Sequence, residues 1–149
     1  MSAASGGGGG EGVCVEPQGM PEKLPVLLVA DDDRSLCNML SLLFDGVFRV
    51  VIAQSGLTAL RAVEEHCPDV ALVDLLLPDV HGVDLLEPMH ECDPSLPVIF
   101  LSGVAVPAVA DEALRRGAFD YVVKPVDDFE ALERLLLRAA QTRMRNPSL

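Results

Sequence analysis

Short apolar runs that end in polar or charged residues alternate with helix-like segments along most of this chain. Uninterrupted Val/Ile/Leu runs are typical of parallel strands that are covered on both faces. Strict alternation of such strands with helices favours a doubly wound α/β sheet, because crossover connections between parallel strands are right-handed. The runs at 26–30, 69–74, 97–101 and 119–123 lead, respectively, to Asp31 and Asp32, Asp74, Ser102, and Lys124.

The pattern contains five strands and five helices, which predicts a flavodoxin-like (βα)5 fold with strand order 2-1-3-4-5. The second strand is the short run Phe48–Ile52. In this order the switch point, where open α/β sheets bind ligands, lies between strands 1 and 3. Those two strands end in Asp31 and Asp32 and in Asp74, so the predicted fold and the candidate site agree.

The chain divides into one folded domain and two short ends. Its 149 residues suit a single domain with a sizeable core. Residues 1–24 have the Gly-rich composition of a flexible leader and are predicted to be disordered. Residues 25–142 carry the periodic pattern, and 143–149 are predicted to be a tail. Within the domain, Pro88 is expected to kink or shorten the third helix.

Charge and cysteine content narrow the functional classes. The net charge of −12 argues against a nucleic-acid-binding surface, which requires a basic stripe. Neither a signal peptide nor a membrane span is predicted. The cysteines are too scattered for a metal site or a disulfide framework, and we predict thiols of a reducing cytoplasm: Cys14, Cys37, Cys67 and Cys92.

The predicted strand ends hold groups suited to phosphoryl chemistry. Clustered carboxylates favour a hard dication, and Mg²⁺ takes one or two carboxylates together with phosphoryl oxygens. An aspartate can also accept a phosphoryl group, with an ammonium and a hydroxyl contacting its oxygens. Each residue alone has a simpler interpretation as a turn, cap or surface group. The joint pattern favours a site made of Asp31, Asp32, Asp74, Ser102 and Lys124.

The region from Pro25 to about Thr142 resembles the receiver domain of two-component response regulators. Spacings of 43, 28 and 22 residues separate Asp31, Asp74, Ser102 and Lys124 in turn. Together the pieces are specific, although each alone is weak. The matching segments are Leu-Leu-Val-Ala-Asp31-Asp32-Asp33, Asp74-x-x-x-Pro78-x-x-x-Gly82, Pro97-Val-Ile-Phe-Leu-Ser102-Gly103 and Gly117-Ala-Phe-Asp-Tyr121-Val-Val-Lys124-Pro125.

The resemblance implies a role for each of these positions. Asp74 would accept a phosphoryl group from a histidine kinase, a phosphotransfer protein or a small donor. Mg²⁺ would be held by Asp31, Asp32, Asp74 and the backbone carbonyl of Leu76. Lys124 would pair with the phosphoryl oxygens, and Ser102 and Tyr121 would move together as a switch. That movement would remodel helix 4, strand 5 and helix 5, where receivers often dimerise or meet partners.

Two apolar positions depart from the commonest receiver pattern in a way that affects phosphoryl lifetime. Leu76 and Val104 lie two residues beyond Asp74 and Ser102, where receiver side chains affect access of the hydrolytic water. We predict slow self-dephosphorylation, and Glu or Asn at either position should change the lifetime. The resemblance fits either a single-domain receiver or a receiver cut from a longer regulator. In both cases we expect no direct contact with nucleic acid and no enzymatic turnover.

Two alternatives remain open from the sequence. Haloacid-dehalogenase-type phosphatases use residues in an order that Asp31-x-Asp33, Ser102, Lys124 and Asp127-Asp128 imitate. This alternative leaves Asp74 without a role, and Asp127-Asp128 resembles a helix cap. A pseudo-receiver, which would have the same fold but never be phosphorylated, is the second alternative.

Overall fold

The computed structural model describes residues 23–103 and 107–145, which form one parallel sheet with helices on both faces. The sheet order is β2-β1-β3-β4-β5, as the sequence predicts. The strands are β1 (Val26–Ala30), β2 (Arg49–Ala53), β3 (Val70–Asp74), β4 (Val98–Ser102) and β5 (Asp120–Val123). The helices are α1 (Arg34–Leu43), α2 (Gly56–His66), α3 (Gly82–Cys92), α4 (Pro107–Arg115) and α5 (Phe129–Arg145).

Strand register brings the predicted site residues to one edge of the sheet. Ala30 of β1 pairs with Val73 of β3, so Asp31 and Asp74 follow adjacent positions. Asp74 in turn pairs with Leu101 of β4, which places Ser102 one residue further along the neighbouring strand. The carboxyl ends of parallel strands meet at a single edge, which is why residues distant in sequence converge there.

The two faces of the sheet bury separate apolar clusters. Successive strand residues point to opposite faces, so Leu27 and Val29 pack on one side and Leu28 and Ala30 on the other. Helices α1 and α5 cover the first face, where Phe44 and Leu136 are fully buried. Helices α2, α3 and α4 cover the second. Strands buried on both faces explain the continuous apolar runs in the sequence.

Side-chain caps define several helix ends. Asp33 accepts a hydrogen bond from Leu36 N at the start of α1. Ser55 caps α2, where Ser55 and Thr58 form a reciprocal capping box. Pro88 does not shorten α3, which continues to Cys92. Proline removes one backbone N–H donor from the helix. The buried side chains of Leu85, Leu86 and Met89 hold the helix to the sheet on both sides of Pro88.

The end of α5 differs most from the sequence-based picture. The helix runs to Arg145, beyond the predicted domain boundary at 142. Within this extension, Arg143 is largely buried between Asp69 and Asp93. No helix among the described residues is long and apolar enough to cross a membrane.

The cysteine prediction holds only in part. Cys37 and Cys92 carry free thiols. Burial, together with the charges of Asp31 and Asp33, raises the pKa of the Cys37 thiol to about 11, so it is protonated at neutral pH. Cys67 is disulfide-bonded, so the prediction of a reduced thiol is wrong for that residue. Cys14 lies outside the described residues.

Candidate functional site

Asp31 is the most deeply buried acidic group at the carboxyl edge of the sheet. Only 1% of its surface is exposed, whereas Asp32 beside it faces solvent. Asp31 N donates to Ala53 O at 3.0 Å, which fixes the end of β1 against β2. Its Oδ1 accepts a hydrogen bond from Asp33 N at 2.9 Å. The turn thus directs the second carboxylate oxygen of Asp31 toward the neighbouring strand ends.

Asp74 lies at the end of the central strand β3 and is also buried. Its Oδ1 accepts from Leu76 N at 3.1 Å, and its Oδ2 accepts from Lys124 Nζ at 3.2 Å. Burial, and then the charge of Asp31, raises the pKa of the Asp74 carboxyl. The Leu76 N–H and the Lys124 ammonium oppose that shift because they stabilise the charged form. Asp74 is therefore a carboxylate whose charge depends on its immediate partners.

Lys124 joins the two buried aspartates from the far end of β5. Its backbone N donates to Ser102 O at 2.6 Å, which holds the residue at the edge where β4 also ends. Its Nζ lies 2.9 Å from Asp31 Oδ2 and 3.2 Å from Asp74 Oδ2. Burial alone would lower the pKa of Lys124, but the two carboxylates outweigh burial and raise it. The lysine is therefore charged at neutral pH.

Three carboxylates at this edge could hold a metal ion. One oxygen from each of Asp31, Asp32 and Asp74 lies within 4.8 Å of the others. Asp31 Oδ2 is buried, and the Lys124 ammonium lies 2.9 Å from it. Buried carboxylates are costly unless a cation contacts them, and this lysine is shared by two of the three. Three clustered carboxylates beside one shared ammonium offer the oxygen ligands that Mg²⁺ takes.

The predicted switch residues lie on the neighbouring strands. Ser102 ends β4 and is buried, next in register to Val123 of β5. Tyr121 is half-buried on the edge strand β5 and packs against the apolar cluster under α2, α3 and α4. Tyr121 pairs with Phe100 of β4, two residues before Ser102. The two residues thus belong to one pair of adjacent strands, as the sequence predicts.

The β3–α3 loop, residues 75–81, forms the wall of the site next to Asp74. Gly82 N donates to Leu75 O at 2.7 Å and begins α3 against the Asp74 backbone. A Cβ at Gly82 would lie 2.5 Å from the Asp74 carbonyl oxygen, so only glycine fits without a shift. The Leu76 side chain is 62% exposed beside the site. Val104, the other apolar position of interest, lies outside the described residues.

One polar contact of this loop was missed from the sequence. Asp79 was given no role, yet its carboxylate accepts two hydrogen bonds from the first turn of α2. The helix cap expected at Asp127-Asp128 is confirmed, because Asp128 accepts from Ala131 N, and Asp33 likewise caps α1 through Leu36 N. A Pro-Asp step facing a helix start was the only available signal for Asp79.

Sequence comparisons find the same domain in much longer proteins. The transcriptional regulatory protein ZraR of Klebsiella oxytoca is 38% identical over 120 residues, which cover 79% of this chain and 27% of that protein. The regulatory protein AtoC of Escherichia coli K12 is 38% identical over 117 residues, covering 77% and 25%. The chain therefore spans about a quarter of the length of these curated relatives.

Solved receiver structures share the fold. A CheY-like response regulator receiver domain protein from Methanospirillum hungatei JF-1 superposes with a TM-score of 0.75 at 27% identity, covering 83% of this chain and all of that one. A receiver domain protein from Clostridium thermocellum gives 0.76 at 29% identity, with coverages of 82% and 98%. The sequence profile of the response regulator receiver domain matches residues 27–136. With that match over most of its length, the chain belongs to the response regulator receiver family.

Proposed function

We propose that this receiver accepts a phosphoryl group on Asp74 in a Mg²⁺-dependent step and passes the change to a partner protein. The observation that carries the proposal is the position of Lys124. Its ammonium contacts both buried carboxylates, 2.9 Å from Asp31 and 3.2 Å from Asp74. Charge neutralisation during phosphoryl transfer needs an ammonium beside the acceptor, and Lys124 places one 3.2 Å from Asp74 Oδ2.

The transfer itself needs few protein groups. A carboxylate oxygen of Asp74 attacks phosphorus, and the bond from phosphorus to the donor breaks. With a phosphohistidine donor, the bonding electrons stay on the imidazole nitrogen, which takes up a proton. The Lys124 ammonium then pairs with the phosphoryl oxygens, and the Ser102 hydroxyl donates a hydrogen bond to the phosphoryl group. The protein contributes positioning and charge stabilisation, which dominate phosphoryl transfer.

Asp31, Asp32, Asp74 and the Leu76 carbonyl would hold Mg²⁺ at this edge. Bound there, the ion would neutralise negative charge on the phosphoryl group and on the acidic cluster. Three carboxylates gather at this edge while Lys124 is shared by two of them, and this excess of negative charge supports the assignment. Asp32, exposed beside it, would reach the ion from the solvent side.

The partners follow from the surfaces next to the switch residues. A histidine kinase or phosphotransfer protein would supply the phosphoryl group. Movement of Ser102 and Tyr121 would alter α4, β5 and α5, through which the chain would bind a partner or a second copy. Relatives such as ZraR are named as transcriptional regulatory proteins, so control of transcription through another domain or partner is one output. We assign the cytoplasm as the compartment and residues 25–142 as the phosphorylated unit.

Incubation with acetyl phosphate and Mg²⁺ tests the proposal directly. We expect intact-mass spectrometry to show the gain of one phosphoryl group in the wild type. Asp74→Asn should gain none, because its amide is not a nucleophile, and chelator added beforehand should prevent labelling of the wild type. An unmodified wild type would favour the pseudo-receiver. Steady phosphate release by Asp74→Asn would favour the phosphatase.

Phosphoryl lifetime should depend on Leu76. Its side chain is exposed beside Asp74 and offers no polar atom to hold an attacking water. We expect slow loss of the phosphoryl group in the wild type and several-fold faster loss in Leu76→Asn, measured by intact mass after removal of the donor. Leu42→Asn, at an exposed leucine of α1, is the control and should leave the lifetime unchanged. Equal lifetimes in all three proteins would contradict the prediction.

A further inference from the structure

The β3–α3 loop is attached to the first turn of α2 through Asp79. Asp79 Oδ1 accepts a hydrogen bond from Gly56 N at 2.7 Å, and Oδ2 accepts one from Leu57 N at 3.1 Å. The first N–H groups of a helix have no partner within it. Ser55 already satisfies Thr58 N, so Asp79 provides acceptors for the two donors that Ser55 does not reach.

Close packing at Gly56 independently places the loop against the helix backbone. A Cβ at Gly56 would overlap Val80 Cγ1 and would lie 3.3 Å from Asp79 Oδ1. Two consecutive loop residues therefore occupy the space that a side chain at position 56 would need. The first turn of α2 and the loop fit together only because that position is glycine.

The other end of the same loop reaches the acidic site. Leu76 N donates to Asp74 Oδ1, which orients the carboxylate. Backbone hydrogen bonds from Leu77 N to Val80 O and from Gly82 N to Leu75 O close the loop on itself. These bonds connect the segment that holds Asp79 to the segment that presents Leu76 to Asp74.

We propose that Asp79 is a positioning residue that fixes Leu76, and through it the Asp74 carboxylate, by holding the loop on the start of α2. The inference rests on the proposed function in one respect, that the Leu76 carbonyl helps to hold Mg²⁺. Groups that orient metal ligands commonly alter metal affinity by tenfold or more when they are removed. The hydrogen bonds from Gly56 and Leu57 also lower the pKa of Asp79, which keeps the carboxylate charged at neutral pH.

Mg²⁺ titration of the full chain tests this role. We expect Asp79→Ala to bind Mg²⁺ about tenfold more weakly than the wild type, with both proteins shown to be folded by thermal melting. Asp45→Ala is the matched control, because it also removes one exposed aspartate but lies between α1 and β2, at the opposite edge of the sheet. Gly56→Ala retains Asp79 but displaces the loop and should weaken binding in the same direction. Wild-type affinity in Asp79→Ala would overturn the proposal.

Amide hydrogen exchange supplies a readout that needs no metal. The Leu76 N–H should exchange faster in Asp79→Ala than in the wild type or Asp45→Ala, because the loop that presents it is no longer held. A wild type that binds no Mg²⁺ would contradict the proposed function, and the positioning role would then be judged on exchange alone. Unchanged Leu76 exchange in Asp79→Ala would in that case overturn it.

Discussion

Replacing Arg143 with methionine should lower the free energy of unfolding by about 3 kcal/mol, at the lower end of the cost of breaking a buried ion pair. Arg143 NH1 lies 2.9 Å from Asp69 Oδ1, and NH2 lies 2.9 Å from Asp93 Oδ2. Asp69 is 2% exposed and Asp93 9%. Loss of the guanidinium would remove a cation that two largely buried carboxylates share.

Other hydrogen bonds to Asp69 and Asp93 explain why we expect a loss at the lower end of the cost of breaking a buried ion pair. Asp69 Oδ2 accepts from Val26 N at 2.8 Å, and Asp93 Oδ1 accepts from the Ser95 backbone and hydroxyl. These donors remain in the variant and partly compensate the charges. Urea unfolding followed by circular dichroism would measure the loss. Arg138→Met, at an exposed position on the same helix, should change stability by no more than about 0.5 kcal/mol.

The effect of Arg143 should fade in acid. Burial alone would raise the pKa of Asp93, but Ser95 and Arg143 together lower it below the usual aspartate value. A carboxyl whose pKa is lower in the folded state stabilises the fold at pH values above its unfolded-state pKa of about 4. This contribution is lost as the pH falls through the folded-state pKa. The stability difference between wild type and Arg143→Met should therefore narrow below about pH 4. A constant difference down to pH 2 would contradict this assignment of the ion pair.

The fold was predictable because its information is local and repeated. Continuous apolar strands and strict strand–helix alternation both point to a parallel sheet, and the handedness of the crossovers then limits the strand order. Strand ends agreed with the structure to within one residue at most positions; β2, for instance, begins at Arg49 instead of Phe48. Boundaries are the least determined feature because the terminal backbone groups of a strand can pair or bond elsewhere.

The position of the candidate site was predictable for a topological reason. Asp31, Asp74 and Lys124 each follow an apolar run directly, so the sheet order alone brings them to one edge. What the sequence could not provide is their contacts. That one ammonium contacts the Oδ2 atoms of both Asp31 and Asp74 depends on side-chain angles that no spacing encodes.

Long-range polar contacts were the main features that sequence reasoning missed. Asp79 meets Gly56 across 23 residues, and Arg143 meets Asp69 across 74. Neither pair has a periodic signal, because the contact depends on how two loops or helix ends pack. Helical spacing also does not tell which apolar residues of a helix are buried. Met39 and Leu43 share the helical spacing of buried Leu40 and Phe44 but are 43% and 46% exposed, so the apolar stripe of α1 is wider than the surface it buries.

Replacing Lys124 with methionine should change stability, Mg²⁺ affinity and phosphorylation in different directions. Without Mg²⁺ the variant should be less stable by about 2 kcal/mol. This loss is smaller than the roughly 3–5 kcal/mol of a fully buried pair because the lysine is partly exposed. The physical reason is that Asp31 and Asp74 would lose their common cation while remaining close together. Methionine retains most of the apolar stem, so lost packing contributes little.

Mg²⁺ should bind more tightly to Lys124→Met than to the wild type. An ammonium within several ångströms of the ion repels it by more than about 1 kcal/mol at an effective dielectric constant near 20, so we expect roughly tenfold higher affinity. Saturating Mg²⁺ should then recover about 1.4 kcal/mol of the lost stability, since a ligand that binds only the folded state stabilises it. Acetyl phosphate labelling should nevertheless fall, because the phosphoryl oxygens lose their ammonium partner.

The opposite signs make this variant the sharper test of the site. Lys23→Met removes the same charge at the other edge of the sheet and should alter neither Mg²⁺ affinity nor labelling. The Asp74 carboxyl, whose pKa is already raised by burial and by Asp31, should be raised further in Lys124→Met. A carboxyl whose pKa is higher in the folded state stabilises the fold at low pH, and this contribution is lost as the pH rises through the folded-state pKa. The stability deficit of Lys124→Met relative to the wild type should therefore be smallest in acid. Weaker Mg²⁺ binding in Lys124→Met would instead mean that the lysine supports the metal site by holding the carboxylates in place, not by balancing their charge.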